Sequence, residues 1–393
     1  MGFGSGLPLP LTFATLSFWL SESGVSRSSI GLFVLAGFFY NYKFLWSPLI
    51  DQLPVPVLTR WLGRRRGWAI MLQFALMGAI FLLGRSDPAT ALTDTALLAV
   101  LVAFLSASQD IVIDAFRIEL LRPEEQGAGV AATQWGYRFG MLAGTAGALW
   151  AAELSSWATA YALMAGLMLV GTAGAAMAPE PRTGQEAIRL GKGWLRAAVI
   201  EPFADILRRK GIFSIIAFVI LYKFGVALAG AMANPFYNEL GFSKGEVASI
   251  AKLVGFGATL AGVGLGGAMV ARFGLFRALL LGGILQMISN LMYVALAAAG
   301  HDRFWLAGLI FIENFTDGMG SAAFVAYMSG LCSAAFTATQ YALLSSLAAV
   351  PTRILASPSG FLVDQLGWIP FFLLATACAL PGIWFLLRRL PRP

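Results

Sequence analysis

Glu22-Ser23-Gly24-Val25-Ser26-Arg27 and Glu239-Leu240-Gly241-Phe242-Ser243-Lys244 follow one pattern 217 residues apart, and each stands before a long apolar run. A second match, Ala132-Thr133-Gln134-Trp135 with Ala338-Thr339-Gln340-Tyr341, recurs in the same order at a spacing of 206. Shorter loops in the second half account for the smaller spacing. The chain therefore repeats itself once, and what it repeats is hydrophobic. Its apolar residues come in runs of about 20, the length a helix needs to cross the hydrocarbon core of a bilayer. Across 393 residues, 58% are hydrophobic and 12% charged, and mean hydropathy is +0.76. A water-facing surface cannot be built at that charge density.

Length and polar interruption predict twelve spans. The first six lie at about 3–20, 30–50, 67–84, 95–117, 127–150 and 157–178. The second six lie at about 211–233, 245–270, 275–299, 304–330, 336–362 and 368–387. Pro8, Pro48, Pro235, Pro351 and Pro358 predict kinks or frayed ends. The organisation expected is an N-terminal six-helix bundle over 1–178, a cytoplasmic linker over 179–210 and a C-terminal bundle over 211–393. From Pro202 the linker reads as an interfacial helix, with Phe203, Ile206 and Leu207 on one face and Asp205, Arg208 and Arg209 towards water. A plain tether between the halves is the simpler reading of the same stretch. Two parallel repeats imply an axis along the membrane normal.

Basic residues orient the chain. Loops on one side carry Arg60, Arg64, Arg65, Arg66, Arg117, Arg122, Arg182, Arg189, Lys192, Arg196, Arg208, Arg209, Lys210, Arg272 and Arg277, with Arg388, Arg389 and Arg392 in the tail. The opposite loops hold Arg27, Arg85, Lys244 and Arg303. Lys and Arg stay in the cytoplasm, so eighteen against four places both termini inside. Clusters set between apolar runs also turn the net charge of +7 away from a nucleic-acid partner. Apolar sequence begins almost at Met1 without a charged n-region, so no cleavable leader is expected.

Several charges fall inside predicted spans, where each costs at least about 2.5–3.5 kcal/mol at mid-bilayer. They are Lys43, Asp110, Asp114, Arg138, Lys223, Lys252, Glu313, Asp317 and Arg353, divided between the halves, which points to a shared polar cavity. Asp110 and Asp114 are four residues apart, as are Glu313 and Asp317, so each pair shares a helix face. Close carboxylates in a dry site share a proton, which makes all four candidates for proton coupling. The competing reading is ion pairing: Asp110 or Asp114 with Arg138, or Glu313 and Asp317 with a lysine. Lys43, Arg138, Lys223 and Lys252 are candidates for an anionic substrate, Arg as a planar fork and Lys as a point charge. Tyr40, Tyr42, Trp46, Trp135 and Tyr137 flank them and suit stacking on a sugar, though packing explains them as well.

Gly136, Gly140 and Gly144 recur every fourth residue on span 5, and span 8 holds Gly255, Gly257, Gly262, Gly264, Gly266 and Gly267. These predict a seam of close helix approach between spans 5 and 8, with Gly140 and Gly144 facing span 8. The single histidine, His301, lies in an outer loop, and no zinc or phosphate-loop motif is present. Neither an enzyme nor an ATP-driven pump is expected, and no cofactor or metal.

One further set of segments carries a resemblance. It comprises Lys43-Phe44-Leu45-Trp46-Ser47-Pro48-Leu49-Ile50-Asp51 with Gly63-Arg64-Arg65-Arg66-Gly67-Trp68, and Ser106-Ala107-Ser108-Gln109-Asp110-Ile111-Val112-Ile113-Asp114-Ala115. It continues in Gly136-Tyr137-Arg138, Leu221-Tyr222-Lys223, Glu313-Asn314-Phe315-Thr316-Asp317-Gly318-Met319-Gly320 and Ala338-Thr339-Gln340-Tyr341-Ala342-Leu343-Leu344-Ser345. Together these resemble the AmpG family of muropeptide permeases over essentially the whole chain. The resemblance implies the major facilitator fold, an all-α membrane protein with 12 transmembrane helices in two pseudo-symmetric six-helix bundles. It implies proton-driven import of N-acetylglucosaminyl-anhydro-N-acetylmuramic acid, with or without stem peptide, across the inner membrane for peptidoglycan recycling. In some Gram-negative bacteria that uptake controls β-lactamase induction and so antibiotic resistance. A monomer is expected. Gln109, Gln134, Asn290, Asn314 and Gln340 join the substrate candidates as polar groups suited to sugars, and Asp51 with Arg64, Arg65 and Arg66 forms a cytoplasmic latch. Val226 stands where many relatives carry an acid. Alternatives are a same-fold permease for another large anion, such as an acyl-CoA, and a non-transporting membrane sensor.

Overall fold

The computed structural model describes residues 1–181 and 196–388. Arg182, Arg189, Lys192, Arg389 and Arg392, with much of the 179–210 linker, lie outside the described residues. Among the described residues every regular element is a helix. Hydrocarbon offers backbone groups no partner, so each span must satisfy its own. Among the described residues seven helices are long and apolar enough to cross a membrane: Arg64–Arg85, Leu92–Leu120, Trp157–Met177, Ile212–Glu239, Lys244–Phe273, Leu275–Ala299 and Trp368–Arg388. They coincide with predicted spans 3, 4, 6, 7, 8, 9 and 12.

The other five spans are interrupted or polar. Span 1 runs as Gly2–Gly6, Pro8–Thr12 and Ala14–Glu22, broken where Pro8 and Pro10 remove backbone donors. Span 2 alternates α-helix with 3-10 turns at Phe33–Ala36 and Lys43–Leu45. Span 5 passes through a π-turn at Ala143–Gly147, and span 8 through another at Ala251–Gly255. Span 10, Arg303–Gly330, is unbroken over 28 residues but carries Glu313, Asn314 and Asp317. Span 11 ends at Ala356, beyond Pro351, and the helix Ser359–Leu366 follows.

The two hexapeptides of the repeat fold alike. Gly24 and Gly241 take φ of +75° and +85°, a region that favours a residue without Cβ. Ser26 and Ser243 then cap the next helix, each accepting an amide hydrogen bond at 3.2 Å, from Ser29 and Glu246.

Contacts divide the chain into two compact units. The first joins Met1–Arg122, Ala132–Phe203 and Cys332–Leu343. The second joins Pro123–Ala131 and Ala204–Leu331 with the chain from Leu344 onward. The first core gathers Leu7, Leu11, Trp19, Leu76, Ile80 and Met168 around Tyr161, whose hydroxyl donates to the Leu11 carbonyl at 3.0 Å. The second gathers Leu228, Phe236, Tyr293, Phe371 and Phe372.

The predicted glycine seam is corrected. Gly136, Gly140 and Gly144 face span 1: a Cβ on Gly136 would stand 2.9 Å from the Phe3 nitrogen, and one on Gly140 2.9 Å from the Leu7 nitrogen. Span 1 answers with Gly2 and Gly6, which face the backbone of Thr133 and Tyr137, so two bare backbones meet there. On span 8, Gly262 and Gly266 receive the Phe315 and Met319 carbonyls of span 10. Spans 5 and 8 do meet, but at Gly127 and Gly267, where a Cβ on either would lie 2.7 Å from the other's carbonyl oxygen.

Candidate functional site

Asp110 and Asp114 share a face of Leu92–Leu120, yet their surroundings differ. Asp114 lies 3.7 Å from the Lys43 ammonium and 4.0 Å from the Arg117 guanidinium. Asp110 accepts a hydrogen bond from the Ser5 hydroxyl and has Tyr40 and Tyr137 beside it. Lys43 is 8% exposed and opens the 3-10 turn that breaks span 2. One turn on, the Trp46 indole donates to Ser108 at 3.0 Å and ties span 2 to span 4. Arg138 makes no ion pair among the described residues, so the expected alternative of an Arg138 bridge to either acid is replaced by Lys43 and Arg117.

The second unit repeats the arrangement. Lys223 also sits at a helix break, between Ile212–Leu221 and Phe224–Glu239. Its ammonium donates to Asp317 at 2.8 Å and to Ser321 at 2.7 Å, and the Gln286 amide donates to the same Asp317 oxygen at 2.7 Å. Glu313, one turn earlier, faces the hydroxyl of Tyr293, with Tyr237 adjoining. Asn314 is held by its own helix, donating to Ile310 at 2.8 Å and accepting from Thr259 at 3.2 Å. The expected lysine partner thus reaches Asp317. Neither acid pair is a bare carboxylate dyad: in each, the later acid carries a lysine and the earlier one faces hydroxyls.

Asp51 and Arg65 meet in the first unit with Arg64 beside them, while the Arg66 guanidinium turns to the Ala176 carbonyl at 2.6 Å. Arg65, 1% exposed, donates to Asp51 at 2.6 Å and binds Glu119 through two nitrogens. The second Asp51 oxygen accepts the amide and hydroxyl of Thr339, both at 3.0 Å. Glu180 receives the Arg65 and Arg66 amides at 2.8 and 3.0 Å, and so supplies a carboxylate to the helix start, where backbone donors are unpaired. Residues 332–343, from the second half of the sequence, are held in this way within the first unit.

The remaining candidates are scattered. Gln109 is fully buried and donates to the Gly4 carbonyl at 2.7 Å. Gln340 accepts from the Ser333 amide at 2.8 Å and donates to the Pro202 carbonyl at 3.2 Å. Asn290 is 1% exposed, with its amide nitrogen unpaired among the described residues. Gln134 is half-buried, and Lys252 stands exposed on its π-turn with no ion pair among the described residues. Two of the aromatic candidates pack on phenylalanines: Tyr42 stacks on Phe38 with ring centroids 4.3 Å apart, and the Trp46 ring lies 5.2 Å from that of Phe104.

Sequence reasoning missed Ser5, Glu119, Glu180, Gln286, Tyr293, Ser321 and Thr339. Ser321 had a signal, standing four residues after Asp317 on one helix. The others come from distant segments, and no spacing announces them.

Comparison with known proteins agrees with this architecture. The sequence profile of the Major Facilitator Superfamily matches residues 1–357. The chain is 41% identical to the anhydromuropeptide permease of Escherichia coli K12 over 389 residues, 98% of this chain and 78% of that protein. It is 37% identical to putative transporter AmpG 4 of Rickettsia conorii, covering 98% of this chain and 94% of the relative. The crystal structure of the transporter FucP in its outward conformation superposes with a TM-score of 0.75 at 13% identity, over 100% of this chain and 97% of that one. This chain belongs to the major facilitator superfamily and, within it, to the AmpG family of muropeptide permeases, as a multi-pass membrane transporter rather than an enzyme.

Proposed function

We propose that this permease imports anhydro-muropeptides from periplasm to cytoplasm by alternating access, driven by protons moving the same way. The carrying observation is the pair of acid–lysine clusters inside membrane-spanning helices, Asp114 with Lys43 and Asp317 with Lys223. Buried charge in both units is costly, and moving charge across the bilayer accounts for its presence. The similarity to the E. coli anhydromuropeptide permease supports the substrate, and a fucose:proton symporter of the same fold supports the coupling. Lys43 and Lys223 are committed to acids, which leaves Arg138 and Lys252 as the cations best placed to take a substrate carboxylate. The Asp51–Arg65–Thr339 cluster serves as the latch holding residues 332–343 to the first unit, and the basic loops put both termini in the cytoplasm of an inner-membrane protein.

Uptake of labelled anhydro-muropeptide by inverted or right-side-out vesicles, with and without an imposed proton gradient, tests the reading. Accumulation that follows the gradient supports it. Equal uptake with the gradient collapsed removes the coupling, and no uptake removes the substrate. For the latch, Asp51→Asn should increase the distance between spin labels at residue 336 and on span 3; an unchanged distribution sinks that role.

A further inference from the structure

Spans 7 and 11 are tied together at one level and part at the next. The Thr352 hydroxyl donates to the Ile220 carbonyl at 3.2 Å and joins them. Beyond that contact span 11 is interrupted: its helix ends at Ala356, Pro358 has no amide to continue the ladder, and a new helix starts at Ser359. Span 7 presents Ala227 and Ala231 there, four residues apart on one face, with Met232 beside them. Small side chains opposite a broken helix leave a cavity of about 320 Å³, with Arg353, Ser357 and Ser359 on its other wall. No carboxylate lines it among the described residues. Its charge is therefore a cation's.

Depth narrows what such a cavity can hold. The helix of span 11 begins at Thr337, so Arg353 lies about 24 Å along it, close to the far edge of a hydrocarbon layer about 30 Å thick. An arginine at that level keeps its stem in the apolar layer and brings its guanidinium to the phosphates. Around it Ile354, Leu355 and Phe361 are exposed, so the surface beside the cavity is apolar, as acyl chains require.

We propose that this cavity binds one phospholipid of the bilayer, with Arg353 holding the phosphate and Ala227, Ala231 and Met232 receiving the first part of an acyl chain. A guanidinium offers phosphate oxygens two parallel donors. The helix at Ser359 starts without a side-chain cap, and its first-turn amides add positive partial charge to the same wall. Ser357 donates to the Ile354 carbonyl at 2.8 Å, and its oxygen can still accept from a headgroup hydroxyl or ammonium. The volume is at the lower end for small-molecule sites, enough for a phosphate with its glycerol and short for a disaccharide bearing a peptide.

Native mass spectrometry of the full chain in detergent tests this, with phosphatidylglycerol and a diacylglycerol of the same tails as probes. Phosphatidylglycerol should be retained and diacylglycerol lost, because the first alone carries a phosphate. Arg353→Gln should weaken retention about tenfold, and Arg353→Lys should keep part of it. Ala231→Leu fills the apolar wall and should weaken retention with the arginine intact. Unfolding temperatures near the parent's establish that the variants are folded, and either variant alone suffices for the test. Equal retention by the parent, Arg353→Gln and Ala231→Leu overturns the site. Equal retention of diacylglycerol removes the phosphate contact and overturns it too. If Arg353→Gln weakens binding of a peptide-bearing anhydro-muropeptide and leaves phosphatidylglycerol unchanged, the cavity is a substrate subsite and the lipid assignment falls. Uptake plays no part in these readouts, so their failure leaves the transport reading standing.

Discussion

The acid pairs of spans 4 and 10 have the same spacing and the same division of partners, but they are not equally tight. Asp317 is held by Lys223 at 2.8 Å and by Gln286 at 2.7 Å, with Ser321 completing the lysine's contacts. Asp114 has Lys43 at 3.7 Å and Arg117 at 4.0 Å, which are Coulombic neighbours rather than hydrogen bonds. The second cluster is therefore preformed, while the first shares one acid between two cations. A single cation in good geometry makes its loss expensive; two loose ones make either loss tolerable.

Removing the lysines should separate the two clusters most. Lys223→Met should destabilise the detergent-solubilised protein by about 2 kcal/mol, below the ~3–5 kcal/mol of a fully buried pair because a third of the Asp317 side chain is exposed. Lys43→Met should cost about 1 kcal/mol, since Arg117 remains near Asp114. Thermal unfolding of both variants reads the difference. Equal losses would mean that the distances do not rank the pairs.

A smaller effect is expected from Gln286→Leu, which removes a neutral donor from a charged acceptor at a cost of about 1.5 kcal/mol. No glutamine donates to Asp114 among the described residues, so the effect belongs to the second unit alone. Transport should slow with it, because Asp317 gains freedom to leave Lys223. An unfolding midpoint equal to the parent's would make Gln286 a bystander.

Arg138 and Lys252 set the two units apart on the substrate side. Arg138→Lys should weaken binding of a peptide-bearing ligand up to about tenfold, because an ammonium cannot reproduce the two-pronged contact of a guanidinium. Lys252→Arg should change affinity less, since a point-charge contact tolerates either cation. Isothermal titration against the peptide-bearing and peptide-free ligands separates them. Equal loss for both ligands in Arg138→Lys would remove the peptide carboxylate as its partner.

The smallest effects test whether the units are repeats in energy as well as in shape. Gly24→Ala and Gly241→Ala should each cost about 1 kcal/mol, because the backbone at φ +75° and +85° penalises a Cβ wherever it points. Among the described residues beyond the chain neighbours, no atom lies within 4 Å of a Cβ at Gly24, and His301 alone is near one at Gly241, at 3.5 Å. Costs differing by more than a few tenths of a kcal/mol would show that the two turns carry different loads.

The order of residues alone established the membrane, the twofold repeat, the position of seven of the twelve expected spans and the shared face of each acid pair. Each of these is local: run length, recurrence and helical period are properties of neighbouring residues. The family resemblance also grouped Asp51 with Arg64, Arg65 and Arg66, and packing joined Asp51 to Arg65. What residue order could not determine was which groups meet from distant segments. The spacing of Asp110 and Asp114 shows that they share a face, but Lys43, Ser5 and Tyr40 approach that face from spans 1 and 2. The glycines show the same limit. A Gly-x-x-x-Gly stripe announces that some backbone comes close, yet any helix fits it, and only packing chose span 1 for Gly140 and span 10 for Gly262. Tertiary structure decided the partners because contact across a bundle depends on the summed volumes of all the helices, which no single stretch encodes.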